Sequence, residues 1–144
     1  MRKAVSDLRL PSEEDETFKN FFRCINLCHD CITLKEEITD KKTGAKSQRI
    51  VYNGPSVDEV CLLEMCDATG LGVFNTRDAT CYDITVDGQK ERYEQIKLFE
   101  FTSERKAMSM VVMHPTKPNT AICFVKGADS SVFPMCSDYK SAKD

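Results

Sequence analysis

The sequence predicts an α+β fold, a twisted antiparallel sheet with flanking helices. Three observations carry that expectation. Two segments place apolar residues at helical spacing, one over residues 15–32 and one between Ser56 and Gly70. The C-terminal half instead alternates, with Tyr82, Ile84 and Val86 set between Asp83 and Thr85. Asp87-Gly88 is a strong signal for a tight hairpin, and hairpins pair their strands antiparallel. Helices that cover one face of such a sheet complete the sandwich.

Taken in order, residues 1–14 are polar and charged and read as a tail or linker, which leaves 15–144 as one domain. In 15–32, Phe18, Phe21, Phe22, Ile25, Cys28 and Ile32 recur at helical spacing. A strand over 33–37 leaves that helix, and a basic, glycine-containing loop fills 39–49 before a short strand at 50–52. Asn53-Gly54-Pro55 breaks the chain. Ser56-Val57-Asp58-Glu59 then fits a capping box with Ser56 at the N-cap, and Gly70 is a natural stop. Residues 93–101 return as the partner of the 82–86 strand. Residues 108–113 and 121–126 form a second hairpin across 114–120. A terminal helix is expected over 128–136, with Pro134 against it.

At 144 residues the chain is long enough to bury a sizeable core, and 41% hydrophobic with 30% charged residues is an ordinary globular balance. A net charge of −3 gives no ground for binding nucleic acid or an acidic membrane surface. No run approaches the ~20 apolar residues of a membrane helix. The first residues also lack the apolar centre of a signal peptide, so a cytoplasmic domain, monomeric in isolation and without direct membrane insertion, is expected.

Eight cysteines raise the question of disulfides or metal. A domain of this size needs no covalent staples, so reduced and mostly buried thiols are expected. Cys24, Cys28 and Cys31 have the spacing of an iron–sulfur loop. If all three lie on one helix, it rises about 10 Å between the outer two. That is too far for one metal, whose thiolates lie within about 4 Å of each other. His29, in the same stretch, is expected to make a local hydrogen bond. A small redox or metal module stays as a rival reading on these residues.

The candidate binding residues lie elsewhere. Phe101 precedes a polar Thr-Ser-Glu-Arg step ending at Lys106, and Lys126 stands before Gly127. An aromatic face with two ammonium groups suits a flat anionic molecule such as a nucleotide. Glu59 has two roles open to it, the reciprocal cap of its helix or an acceptor for an exocyclic amine.

Four blocks of this sequence resemble the nucleotide-binding domain of P-type ATPases, in particular the phospholipid-transporting (type IV) subclass. Residues 21–32, FFRCINLCHDCI, are similar to the family's Phe-Phe-Arg-Ala-Leu-Ala-Leu-Cys-His-Thr-Val helix. Residues 56–63 are similar to its Ser-Pro-Asp-Glu-Ala-Ala-Leu-Val, with Val57 for the proline and Cys61 for the second alanine. Residues 101–110 are similar to its Phe-Ser-Ser-x-Arg-Lys-Arg-Met-Ser-Val, with Ala107 for an arginine. Lys126-Gly127-Ala128-Asp129-Ser130 matches its Lys-Gly-Ala-Asp-Ser run.

The resemblance implies an ATP pocket with Asp58 and Glu59 at the adenine edge and Phe101 stacked on the base. It puts Lys106 and Lys126 along the pocket, Ser103 and Met108 beside it, and Gly127 and Ala128 where the backbone comes close to ligand. It also implies the phosphorylation and actuator domains of one parent chain as partners, with an accessory subunit possible. The family's phosphorylatable Asp-Lys-Thr-Gly-Thr and magnesium-binding aspartates do not occur here, so Mg-ATP would have its metal held mainly outside this chain. A Walker phosphate loop is also missing. The expectation is a module that binds nucleotide without turnover, with Kd from about millimolar to tens of micromolar. The nucleotide-binding domain of a cation-transporting P-type ATPase is the near rival.

Overall fold

The computed structural model describes residues 15–137; the expected tail at 1–14 and the last seven residues lie outside them. In chain order the elements are α1 (Asp15–Leu27), β1 (Ile32–Thr39), β2 (Lys46–Asn53), α2 (Val57–Thr69), β3 (Gly72–Arg77), β4 (Cys81–Val86), β5 (Gln89–Thr102), β6 (Ala107–Met113), β7 (Ala121–Gly127) and α3 (Asp129–Val132). A 3-10 turn, Phe133–Met135, follows. Strands β3 to β7 form one five-stranded antiparallel meander in sequence order, and β1 and β2 form a separate hairpin. The fold is α+β, as the sequence predicts.

The core lies between the meander and the two long helices. Phe22, Ile25 and Leu27 of α1 and Leu63 and Cys66 of α2 are buried against Phe74, Tyr82, Ile84, Val86, Tyr93, Met110, Val112 and Phe124 of the sheet. The alternation in β4 is the predicted one, with Tyr82, Ile84 and Val86 buried. Asp87 and Gly88 turn with φ of 49° and 75°, the paired left-handed conformation of a two-residue hairpin. Helix α2 starts as expected, with Ser56 Oγ accepting the Glu59 N–H, and ends at Gly70 with φ 72°.

Four elements depart from the sequence reading. Helix α1 ends at Leu27, five residues early, because the next backbone N–H groups find other acceptors. The Cys31 N–H donates to His29 Nδ1 and the Asp30 N–H to Glu59. Cys28, His29 and Cys31 are fully buried in the turn that results, so their apolar pattern persists without a helix.

The expected loop at 39–49 is shorter, a turn over 40–45, with Thr39 and 46–49 belonging to the strands. Its basic residues face acidic partners across the β1–β2 pair, Arg49 with Glu36 and Lys46 with Glu37. Strand β3 has no counterpart in the reading. It contributes the buried Phe74, and its Gly72 lets α1 come close: a Cβ there would stand 2.6 Å from the Asn26 amide and 3.1 Å from the Phe22 ring. The terminal helix is one turn of α3 and a 3-10 turn, because Pro134 supplies no N–H to continue it.

All eight cysteines are free thiols, and the expectation that they are mostly buried needs correction. Only Cys28, Cys31 and Cys66 are buried, while Cys61, Cys123 and Cys136 are exposed. The helix-rise argument fails as well, since Cys31 lies beyond the helix. Two of the three thiols have other work. Cys24 donates to the Val125 carbonyl at 3.5 Å and Cys28 to the Phe124 carbonyl at 3.2 Å, which ties α1 to β7.

Candidate functional site

The first turn of α2 and the adjoining ends of β5, β6 and β7 surround a cavity of about 350 Å³. Ser56, Asp58, Glu59 and Leu62 line it from the helix side, Phe101 and Met108 from β5 and β6, and Lys126, Gly127 and Ala128 from the end of β7. Seven of the nine residues singled out in the sequence therefore meet around one space, although they span positions 58 to 128.

Phe101 reaches the cavity through an irregularity. Phe99 pairs with Ser109 and Thr102 with Ala107, so β5 carries one residue more than β6 over this stretch. Such a bulge twists the strand and re-aims its side chains. Phe101 is left 60% exposed, its ring available to a ligand rather than committed to the core. Met108 is buried beneath it and Leu62 stands opposite on α2, giving the cavity its apolar wall.

Glu59 is the polar centre. Its Oε1 accepts from Lys126 Nζ at 3.1 Å, and its Oε2 accepts from the Asp30 N–H at 3.1 Å. The carboxylate thus points away from the cap that its backbone N–H helps to close. Of the expected capping box the Ser56 half forms, while the Glu59 carboxylate bonds Lys126 and the Asp30 N–H. The Cys31 thiol lies 4.0 Å from Oε2. Burial, and then the Glu59 charge, push that thiol up to about 11, so it stays protonated.

Gly127 meets a second demand besides the cavity. A Cβ on it would stand 2.4 Å from the Lys106 carbonyl oxygen and 2.6 Å from Ala107 Cα. The Ala128 N–H donates to that same carbonyl at 2.9 Å. Glycine is required here because two strands close on each other.

The remaining two residues stand apart. Ser103 and Lys106 are exposed on the turn joining β5 to β6, and neither lines the cavity. Lys106 has φ 49°, and its N–H donates to the Thr102 carbonyl. Its backbone shapes the site by holding Ala128. Conversely, Ser56 and Leu62 line the cavity without being singled out as ligand-facing. Leu62 had a readable signal, since it lies three residues after Glu59 on the same helix face.

Two larger concavities exist. One of about 870 Å³ runs past Arg23, Glu91, Arg92, His114 and Phe124, and one of about 480 Å³ lies between β2 and α2. Size does not decide here. Both arginines that line the larger one are already paired, Arg23 with Glu91 at 2.7 Å and Arg92 with Asp78 and Asp83. In neither does an open aromatic face meet an apolar wall.

A family model described as P-type ATPase, cytoplasmic domain N, matches residues 17–144. The chain belongs to that family. Among relatives of the domain N chain, the probable phospholipid-transporting ATPase DNF3 of Saccharomyces cerevisiae is 33% identical over 131 residues, covering 86% of this chain and 8% of its own. Phospholipid-transporting ATPase IH of Homo sapiens is 32% identical over 122 residues, covering 83% of this chain and 11% of its own. Phospholipid-transporting ATPase IC of Xenopus tropicalis is 30% identical over 131 residues, covering 91% and 9%. The domain N chain thus spans about a tenth of the length of these relatives. No helix among its described residues is long and apolar enough to cross a membrane.

Proposed function

We propose that the cavity holds the adenosine end of ATP, and that the chain acts as the nucleotide-binding domain of a phospholipid-transporting P-type ATPase. The observation that carries this reading is the meeting of Glu59, Lys126, Phe101 and the Gly127-Ala128 backbone around one space that Leu62 and Met108 also line. The Phe101 ring stacks on the base, which is worth about 1–3 kcal/mol. Glu59 accepts from an exocyclic amine, and Lys126 lies where it can donate to ring nitrogen or ribose. Ser103 and Lys106, on the neighbouring turn, serve the end of the nucleotide that leaves the cavity.

The work of such a domain is positioning. Phosphoryl transfer depends on orientation and on stabilising charge around the transferred group. The γ-phosphate passes to an aspartate on another domain, with magnesium held mainly there, and the energy released serves lipid movement in the membrane part of the parent. Phospholipid as cargo is favoured over a cation by the names of the relatives and by the Asp58-Glu59 helix motif.

The test is binding of a fluorescent ATP analogue to the 144-residue chain. Saturable binding displaced by ATP is expected, weakened about 5- to 150-fold by Phe101→Ala. Because Phe101 is mostly exposed, that variant should keep its thermal midpoint. Affinity indifferent to Phe101→Ala contradicts the reading.

A further inference from the structure

The turn between α1 and β1 does something that a simple helix end does not. Were the helix to continue, the Asp30 N–H would donate to the carbonyl of Asn26, four residues back. That carbonyl is taken instead by His29 Nε2, at 2.8 Å. The other ring nitrogen, Nδ1, accepts the Cys31 N–H at 3.0 Å. With Nδ1 an acceptor, the proton sits on Nε2, and the neutral imidazole stands in for the next turn of helix on both sides. The Asp30 N–H is thereby released, and it points at Glu59 Oε2.

Further contacts hold this arrangement. The His29 ring is packed edge-on to Phe74 at 4.4 Å and to Tyr82 at 5.8 Å. The Asp30 carboxylate is held by Arg77 Nη2 at 2.9 Å, and Arg77 Nη1 donates to the Tyr82 hydroxyl at 3.0 Å. Cys31 abuts Gly54, where a Cβ would stand 2.5 Å from its sulfur, so the turn is wedged against the chain that leads into α2.

We propose that this His29 turn, anchored through Arg77, is a positioning device for Glu59, fixing the carboxylate so that the cavity prefers a 6-aminopurine nucleotide to a 6-oxopurine one. The inference rests on the reading of the cavity as a nucleotide site. With one oxygen fixed by Lys126 and the other by the Asp30 N–H, the carboxylate has a defined direction for its remaining lone pairs. They attract an amine at position 6 and repel a carbonyl oxygen. Arg77, His29 and Asp30 do not line the cavity, so any effect of theirs on base choice must pass through Glu59.

The test compares ATP with inosine triphosphate on the 144-residue chain and its Arg77→Gln variant, by calorimetry. The preference for ATP should fall about 3- to 10-fold in Arg77→Gln, with affinity for inosine triphosphate changed less than about twofold. A structural role alone would weaken both nucleotides together. A second readout needs no ligand: the Asp30 amide resonance should shift on Glu59→Gln and on His29→Asn. Asp30→Asn, which keeps the volume and weakens the Arg77 pair, serves if Arg77→Gln does not fold. An unchanged ratio in folded variants that bind ATP overturns the positioning role and leaves the nucleotide reading intact. Failure of the wild-type chain to bind either nucleotide overturns both.

Discussion

Replacing Gly127 by alanine puts a methyl carbon where the backbone of β6 already stands. Built on the existing backbone, that carbon lies 2.4 Å from the Lys106 carbonyl oxygen and 2.6 Å from both Ala107 Cα and Ala107 Cβ. Ordinary contacts of this kind lie at about 3.5 Å, so the β6–β7 end must open by about 1 Å. Neither strand end is a flexible side chain that could swing away.

Overpacking of this sort costs about 1–3 kcal/mol. Opening the strands also strains the Ala128 N–H bond to the Lys106 carbonyl, worth about 1 kcal/mol. The expected loss is therefore about 2–4 kcal/mol, or about 5–15 °C in thermal midpoint for a domain of this size. The assay is urea unfolding of the chain without nucleotide. A loss below about 1 kcal/mol, together with lost nucleotide binding, would refute the packing argument. The glycine would then be there only to admit ligand, as the motif alone implies.

Two further outcomes follow from buried charge. Burial holds His29 down to about 4 against an ordinary 6.5, so the unfolded chain takes up this proton first as pH falls. Stability should fall as pH drops from about 6.5 to about 4, by about 3 kcal/mol in all, while Asp78, held at about 2 by the Thr80 and Cys81 N–H groups and by Arg92, contributes its own loss only below that window. Unfolding midpoints across this range would show the slope, and His29→Asn should flatten it. Lys126→Met leaves the nearly buried Glu59 carboxylate with the Asp30 N–H and the weak Cys31 thiol donor, so it should cost about 1–3 kcal/mol. Adding Glu59→Gln should return part of that loss, measured as coupling in a double-mutant cycle.

How much of this could be read from the sequence depended on whether local pattern and tertiary role agreed. In β4 and at Asp87-Gly88 they agree, because one face is core, the other is not, and the turn chemistry is specific. Ser56 and Gly70 likewise mark the ends of α2 through groups that act within a few residues. The β1–β2 hairpin was illegible beyond its base because, past Ile50 and Tyr52, neither face is buried; cross-strand charge pairs extend it without any apolar period. The turn at 28–31 misled for the opposite reason. It is as buried as a helix face, and only the acceptors of its N–H groups reveal that the helix has ended.

The site shows the same division. Glu59, Phe101 and Lys126 were legible as motif residues, and the cavity between them joins three segments that are distant in sequence. Where Phe101 points depends on a bulge that no local pattern announces. Lys106 stood beside Lys126 in the sequence reading as a second pocket lysine, but in the fold its main chain is what touches the site.

Whether nucleotide enters this particular cavity is decided by mapping ATP onto the amide spectrum of the chain. Saturable shifts are expected, with Kd between about millimolar and tens of micromolar, centred on residues 56–62, 101, 108 and 126–128. Shifts that instead cluster along Arg23, Glu91 and His114, in the larger groove, or no saturable shift at several millimolar ATP, would contradict that expectation.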